Sequence, residues 1–349
     1  MKRYDIVSLK VNANDLHLKM KGEIVMKQFK TYSLLIFAVL ISSMLTGCAS
    51  EVEKNINSVA VSIGPQKDFV QAVAKDLVDV TVMIPPGYSE TNYQPTPKEL
   101  QALSDAELYF AIGVAAEEAN ILPRLTEFNE EVTVVNLWSE VAEVYPAREF
   151  DSEHGHEDED DHEDEDDHED EDDHEDEDDH GHSHEGIDPH IWLSPKRVVV
   201  MIHVIVEELS LVYPEHADTF KKNGAEYVAE LEKLDLQIKD ALAEYEDEPF
   251  IIYHPAFGYF ADDYHLEMIA IEEDGKEASA KRIQEVIDLA KENDIKFVFY
   301  QEEFDSSQAE TIAKEIDGET VKVAPLSEQY IENLQSIVEA FTEVLVSKE

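Results

Sequence analysis

Two histidines stand where the chain must turn. In GIDPHIWLSPKR (186–197), His190 follows Asp188-Pro189 and precedes Ser194-Pro195, which read as the cap and first residue of a helix, VVVMIHVIVEEL. A side chain held between a turn and a helix start is well fixed to point into a cleft. In FIIYHPAFGYF (250–260), His254 closes a strand-like run, and open α/β sheets bind ligands at the carboxyl ends of their strands. Imidazole is the commonest metal ligand among side chains, so the pair is a candidate metal site. Taken singly, either histidine would more often be a structural hydrogen-bonder. Beside a histidine-rich tract, the two together read as metal chemistry.

That tract is an insertion. Four identical EDEDDH hexads run from Glu157 to His180, and His154, His156, His162, His168, His174, His180, His182 and His184 all fall within it. A six-residue step turns about 600° around a helix, so the hexad histidines would share no helical face. Asp and Glu disfavour strands as well. The composition predicts a solvated, self-repelling segment without fixed structure. Imidazole mixed with carboxylate still suits zinc and related divalent ions, which makes these histidines an auxiliary metal loop; a spacer without a role is the alternative. Window 151–185 carries 23 acids and no Lys or Arg, out of a net charge of −53. The remainder is therefore acidic too. Such a surface repels phosphate backbones and attracts cations, so no nucleic-acid partner is expected.

The elements that must position the histidines alternate. Strand-like runs at 59–63, 80–84, 108–113 and 132–137 are separated by helical stretches such as KDFVQAVAKDL (67–77) and TPKELQALSDAEL (96–108). In the latter Thr96, Pro97 and Glu99 form a capping-box signature. A second series follows the insertion, with strands at 250–253, 266–271, 296–301 and 320–325 and helices at 279–293, 306–317 and 327–348. Two such series predict two α/β lobes with mostly parallel sheets flanked by helices. Between them Phe220, Tyr227, Leu231, Leu234, Ile238, Leu242 and Tyr245 form one apolar stripe along a helical segment, 216–245. Thirty helical residues would reach about 45 Å, the height of both lobes. Small ligands favour the cleft between two lobes.

The first 58 residues read differently. KQFKTYSLLIFAVLISSMLTGC (27–48) has a basic start, an apolar stretch from Leu34 to Leu45, and then LTGC. The apolar stretch is short for a membrane span and suits a signal peptide. LTGC resembles the bacterial lipoprotein box, in which the cysteine is lipidated. Cys48 is the single cysteine, which excludes internal disulfides and cysteine-based zinc sites. The expected organisation is 1–47 upstream segment and signal peptide, 48–58 tether, 59–150 first α/β lobe and 151–187 insertion. Then come 188–215, returning to the cleft, 216–245 the connecting helix, and 246–349 the second lobe.

PPGYSETNYQPTP (85–97), DPHIWLSP (188–195), HPAFGYFADDYHLE (254–267) and FYQEEFDSSQAETIA (299–313) together resemble the metal-binding solute-binding lipoproteins of bacterial zinc and manganese ABC importers. The likeness runs from about Val59 to the C-terminus, and the acidic histidine-rich insertion resembles the zinc branch. The resemblance implies two lobes joined by one long rigid helix, a metal held between them, and delivery to a membrane permease. His190 and His254 match two of the family's histidine ligands. A third, in the loop after PPG, is Thr91 here, preceded by Glu90. The carboxylate before the last Pro-Leu is Ala324, and the usual Glu of the FxE segment is Gln301. Glu90, Asn92, Gln301 and Glu303 are then the candidate oxygen donors. Zinc takes about four ligands; two histidines with two oxygens, or with water, would serve, and that set could shift preference toward a harder metal such as Mn²⁺.

The leading expectation is an extracytoplasmic, lipid-anchored, monomeric receptor that captures Zn²⁺ and hands it to an ABC importer permease. A manganese receptor of the same type is one alternative; a surface metal buffer or adhesin acting through the insertion is another. An enzyme is not expected: no H-E-x-x-H pair, G-x-S-x-G elbow or P-loop occurs in the chain.

Overall fold

A computed structural model describes residues 57–150, 186–272 and 276–346. The segment read as a signal peptide, Cys48, most of the expected tether and residues 151–185, with the eight histidines of the expected insertion, lie outside those residues. In chain order the elements are β1 (Asn57–Val61), α1 (Gly64–Ala74), β2 (Val78–Val82), α2 (Pro97–Ser104), β3 (Leu108–Ala111), α3 (Ala115–Asn120), α4 (Leu125–Phe128), β4 (Thr133–Asn136) and α5 (Leu137–Ala142). After the insertion come α6 (Pro195–Val212), α7 (Ala217–Leu242), β5 (Pro249–Ile252), α8 (Gly258–Tyr264), β6 (Glu267–Ala270) and α9 (Ala280–Glu292). β7 (Phe297–Gln301), α10 (Ser307–Glu315), β8 (Glu319–Val323) and α11 (Tyr330–Val346) complete the chain. Asn57 and Ser58, read above as the end of the tether, instead open β1, where they pair with Val78 and Asp79.

The strands form two four-stranded sheets of the same design, ordered β2-β1-β3-β4 and β6-β5-β7-β8, with every pairing parallel. Parallel sheets are covered on both faces, so their inner strands are apolar throughout. Val59, Ala60 and Val61 of β1 and Leu108 to Ala111 of β3 are all buried. In β5 the faces separate with the two-residue period of a strand. Phe250 and Ile252 join a core that continues into the first lobe and the long helices. Ile251 and Tyr253 face a second cluster built from α9, α10 and their strands.

Helix α7 carries the apolar stripe as expected: Phe220, Tyr227, Leu231, Leu234, Ile238 and Leu242 are buried. Its 26 residues span about 39 Å. Polar bonds tie it to both lobes. Tyr227 Oη donates to Asp68 Oδ2 of α1 (3.0 Å) and Asn223 Nδ2 to the Val73 carbonyl (2.8 Å), while Tyr264 Oη of α8 donates to Asp235 Oδ1 (3.0 Å). The core is continuous across both lobes, and α7 is anchored to each. At the head of α2 the Glu99 carboxylate accepts from the Thr96 amide (2.6 Å) and hydroxyl (2.7 Å), as the capping signature predicts. Ser194 departs from its expected capping role. Its hydroxyl donates to Asp263 Oδ2 (2.5 Å), an acceptor shared with Arg197 (2.6 Å), so it locks α6 onto α8. Among the described residues no helix is long and apolar enough to cross a membrane.

Candidate metal centre

His254 is the second residue after β5, the strand at which the order of the second sheet reverses. That reversal opens a crevice at the carboxyl ends of the strands. The main chain here is gripped by Gln301, the last residue of the neighbouring β7: its Oε1 accepts from His254 N (3.2 Å) and its Nε2 donates to His254 O (2.6 Å). The imidazole Nδ1 lies 2.7 Å from Glu272 Oε2, just beyond β6 on the other flank. Phe304 stacks on the ring, 4.7 Å between centroids and 20° from parallel. Backbone, Nδ1 and ring face are all fixed, leaving Nε2 free.

His190 is built the same way from different elements. Asp188 Oδ1 accepts from the His190 amide (2.9 Å) and lies 2.7 Å from its Nδ1. Asp188 is itself held, its carbonyl accepting from Trp138 Nε1 (3.2 Å) and Tyr259 Oη (2.9 Å), and its Oδ2 facing Arg148 (3.4 Å). Gly258 allows this approach: a Cβ there would stand 2.6 Å from Asp188 Oδ2 and 2.7 Å from the Arg148 guanidinium. Trp192, three residues from the Asp188-Pro189 turn, donates to the Pro325 carbonyl of the second lobe (3.1 Å).

The third member is Glu90, in the loop between β2 and α2. Its Oε1 lies 3.5 Å from His190 Nε2 and 3.4 Å from His254 Nε2, and the two Nε2 atoms are 3.2 Å apart. All three residues are buried. With each Nδ1 proton given to a carboxylate, each neutral imidazole turns a lone pair toward the other and toward Glu90. That arrangement calls for a cation at its centre, a proton or a metal. Four-coordinate zinc with bonds of about 2.0–2.1 Å sets neighbouring ligand atoms about 3.3 Å apart, which is the spacing found. The carboxylate–imidazole pairs supply the outer hydrogen bonds that orient metal-binding histidines. Both Glu90 oxygens are buried without a hydrogen-bond partner.

Electrostatics agree. Burial would raise the Glu90 carboxyl, but the two facing imidazoles hold it well below the usual range. Burial opposes charge on His254, yet Glu272 and Glu90 outweigh it and hold the imidazole at about 9. His190 is likewise raised, its burial outweighed by Asp188 and Glu90.

Of the expected oxygen donors, the structure brings only Glu90 into the group with His190 and His254. Asn92 is exposed two residues further along the loop, turned to water. Gln301 is fully buried, but both ends of its amide serve the His254 backbone. Glu303 lies on the turn after β7, outside the converging trio, with Oε2 buried and unpartnered; burial and the nearby Glu90 charge raise its carboxyl to about 8. Thr91 pairs its hydroxyl with Ser89 (2.7 Å). Asp188 and Glu272 were not singled out from sequence. Asp188 stood within the DPH motif, whereas Glu272 meets His254 only because β5 and β6 are neighbours.

A family model described as zinc-uptake complex component A, periplasmic (ZnuA), matches residues 59–344. Among curated proteins, the zinc-binding lipoprotein AdcA of Streptococcus pneumoniae R6 is 29% identical over 300 residues, covering 84% of this chain and 54% of AdcA. The chain thus spans about half the length of the AdcA proteins it matches. The high-affinity zinc uptake system protein ZnuA of Bacillus subtilis strain 168 is 30% identical over 274 residues, 75% of this chain and 76% of that protein. A crystal structure of ZnuA superposes with a TM-score of 0.70 at 30% identity, covering 83% of this chain and 99% of the other. The chain belongs to the zinc-uptake complex component A family.

Proposed function

We propose that this protein binds Zn²⁺ between its lobes through Nε2 of His190, Nε2 of His254 and the carboxylate of Glu90. It then delivers the ion to the permease of an ABC importer. The observation that carries the reading is the trio of donor atoms spaced 3.2, 3.4 and 3.5 Å apart, the edge lengths of a zinc tetrahedron. Glu303, with its unpartnered buried oxygen, or a water completes the fourth position. The zinc named for AdcA and B. subtilis ZnuA, and a zinc-bound ZnuA deletion mutant at 30% identity, support the same cargo. Lipid attachment at Cys48 would keep the receptor outside the cytoplasm beside its permease, and the histidines of the insertion would serve as a weaker collector.

The family is one of uptake components rather than enzymes. The test is competition with a zinc chelator. A tight site should survive deletion of 151–185 and be lost on His190→Ala with His254→Ala. Normal zinc binding by the double variant would sink the proposal. Loss of binding on deleting the insertion alone would make the insertion the functional part. The carboxylate in place of a third imidazole makes Mn²⁺ the ion to titrate in parallel.

A further inference from the structure

His190 and His254 are each aimed by a carboxylate on Nδ1, but Glu90 has no such partner on either oxygen. Its position therefore falls to its backbone, and the backbone leads to a second buried carboxylate. Glu117 on α3 is fully buried and outside the centre. It lies where the order of the first sheet reverses between β1 and β3, the crevice that an open α/β sheet usually offers to a ligand. Here the chain fills that crevice itself. Glu117 Oε2 accepts from the amides of Ile112 (2.9 Å) and Gly113 (2.5 Å). Oε1 accepts from Tyr109 Oη (2.7 Å) and from the Ser62 hydroxyl.

The residues gathered around Glu117 hold the Glu90 loop at its start and at Glu90 itself. The Ser62 carbonyl accepts from the Ile84 amide (2.9 Å), where the loop leaves β2. The amide of Ala116, next to Glu117, donates to the carbonyl of Glu90 itself (2.9 Å). Gln66 stiffens the same corner, accepting from the Ser62 amide (3.0 Å) and donating to the Phe110 carbonyl (2.9 Å). A buried carboxyl group ringed by four hydrogen-bond partners is a demanding feature; an apolar plug of the same volume would often be no less stable. What it supplies is a single geometry, since ligands must be held to within about 0.5 Å.

We propose that Glu117 is a positioning residue for Glu90, setting through Ser62 and α3 where the metal-binding carboxylate stands. The inference rests on the reading of Glu90 as a ligand.

A double-mutant cycle separates the two. Zinc affinity is measured by chelator competition, with melting curves alongside, for Glu117→Ala, Glu117→Gln, Tyr109→Phe, Glu90→Ala and the combinations with Glu90→Ala. Glu117→Ala should weaken zinc about 10–100-fold, as the loss of an outer-shell partner does. Glu117→Gln should stay within about fivefold of wild type: its oxygen can face the two amides and its NH₂ the two hydroxyls, which can accept. Tyr109→Phe removes one donor with little loss of volume, so it carries the test should the alanine variant fail to fold; about a threefold to tenfold loss is expected. In the Glu90→Ala background each of these effects should shrink below about twofold. If they persist undiminished there, Glu117 does not act through Glu90 and the positioning role falls. If Glu90→Ala alone keeps wild-type affinity, Glu90 is no ligand and both readings fall together.

Discussion

Glu272→Gln should weaken zinc binding by an amount that depends on pH. Glu272 Oε2 sits 2.7 Å from His254 Nδ1 in a buried site. Gln keeps an oxygen there but removes the charge. A hydrogen bond to a charged group contributes about 1.5–3 kcal/mol and a neutral one about 0.5–1.5, so the loss is about 1–2 kcal/mol, roughly fivefold to thirtyfold in affinity. Protons compete for the same site. His254, held at about 9, is raised, so its proton is bound below that pH and must leave Nε2 before a metal can bind. At pH 7 this competition opposes zinc by about 2.7 kcal/mol, and it disappears as pH rises past 9. The carboxylate supports the imidazolium and the metal-bound ring through the same Nδ1 proton. Removing its charge therefore weakens both competitors together at low pH. The wild-type to variant affinity ratio should be about 1–3 at pH 6.5 and climb to about 5–30 at pH 9.5. Competition against a fluorescent chelator in zinc-buffered solutions measures it, with circular dichroism to confirm folding. A large ratio independent of pH would refute the reasoning, leaving Glu272 a merely structural part; equality at every pH would remove it from the site.

Two other substitutions probe the surroundings. Gly258→Ala places a Cβ 2.6 Å from Asp188 Oδ2; it should lower stability by about 1–3 kcal/mol through overpacking and weaken zinc by disturbing the His190–Asp188 pair, and unchanged melting and affinity would show the corner to be loose. Glu303→Gln should stabilise the metal-free protein. Its carboxyl is raised to about 8, chiefly by burial, so the folded state resists ionisation that the unfolded chain undergoes above about 4.5. The gain is nil near pH 4 and about 4 kcal/mol by pH 8, read from melting temperatures; a gain independent of pH would contradict it. Zinc affinity of the same variant decides the fourth ligand: a tenfold loss assigns Glu303, no loss assigns water.

Much of the architecture was legible along the chain. All eight strands found among the described residues fall within a few residues of the runs rich in Val, Ile, Phe and Tyr. The inner strands are largely apolar because parallel strands covered on both faces leave little place for polar residues, while the edge strands β2 and β8 are partly exposed and still carry Asp79 and Lys322. Helix α7 declared itself through its stripe, since only the helical period puts Phe220, Tyr227, Leu231 and Leu234 on one face. Short helices such as α3 and α8 offered no such period, and α8 is defined largely by what packs on it: Asp188, Arg197 and Asp235.

His190 and His254 stood out through their turn and strand-end settings, which are local properties of sequence. Their partnership is not local, since 64 residues separate two nitrogens 3.2 Å apart. Which oxygen joins them was undecided among Glu90, Asn92, Gln301 and Glu303. Two residues of difference along a loop turn Glu90 inward and Asn92 to water, and only the packing of that loop on α3 chooses between them. Sheet order likewise made Glu272 and Gln301 the flanks of His254, one orienting its ring and the other gripping its backbone. Residue type and local period determined the strands, the long helix and the two histidines. The third donor and the carboxylates that orient the rings were decided by tertiary structure, because parallel pairing joins residues that no sequence spacing relates.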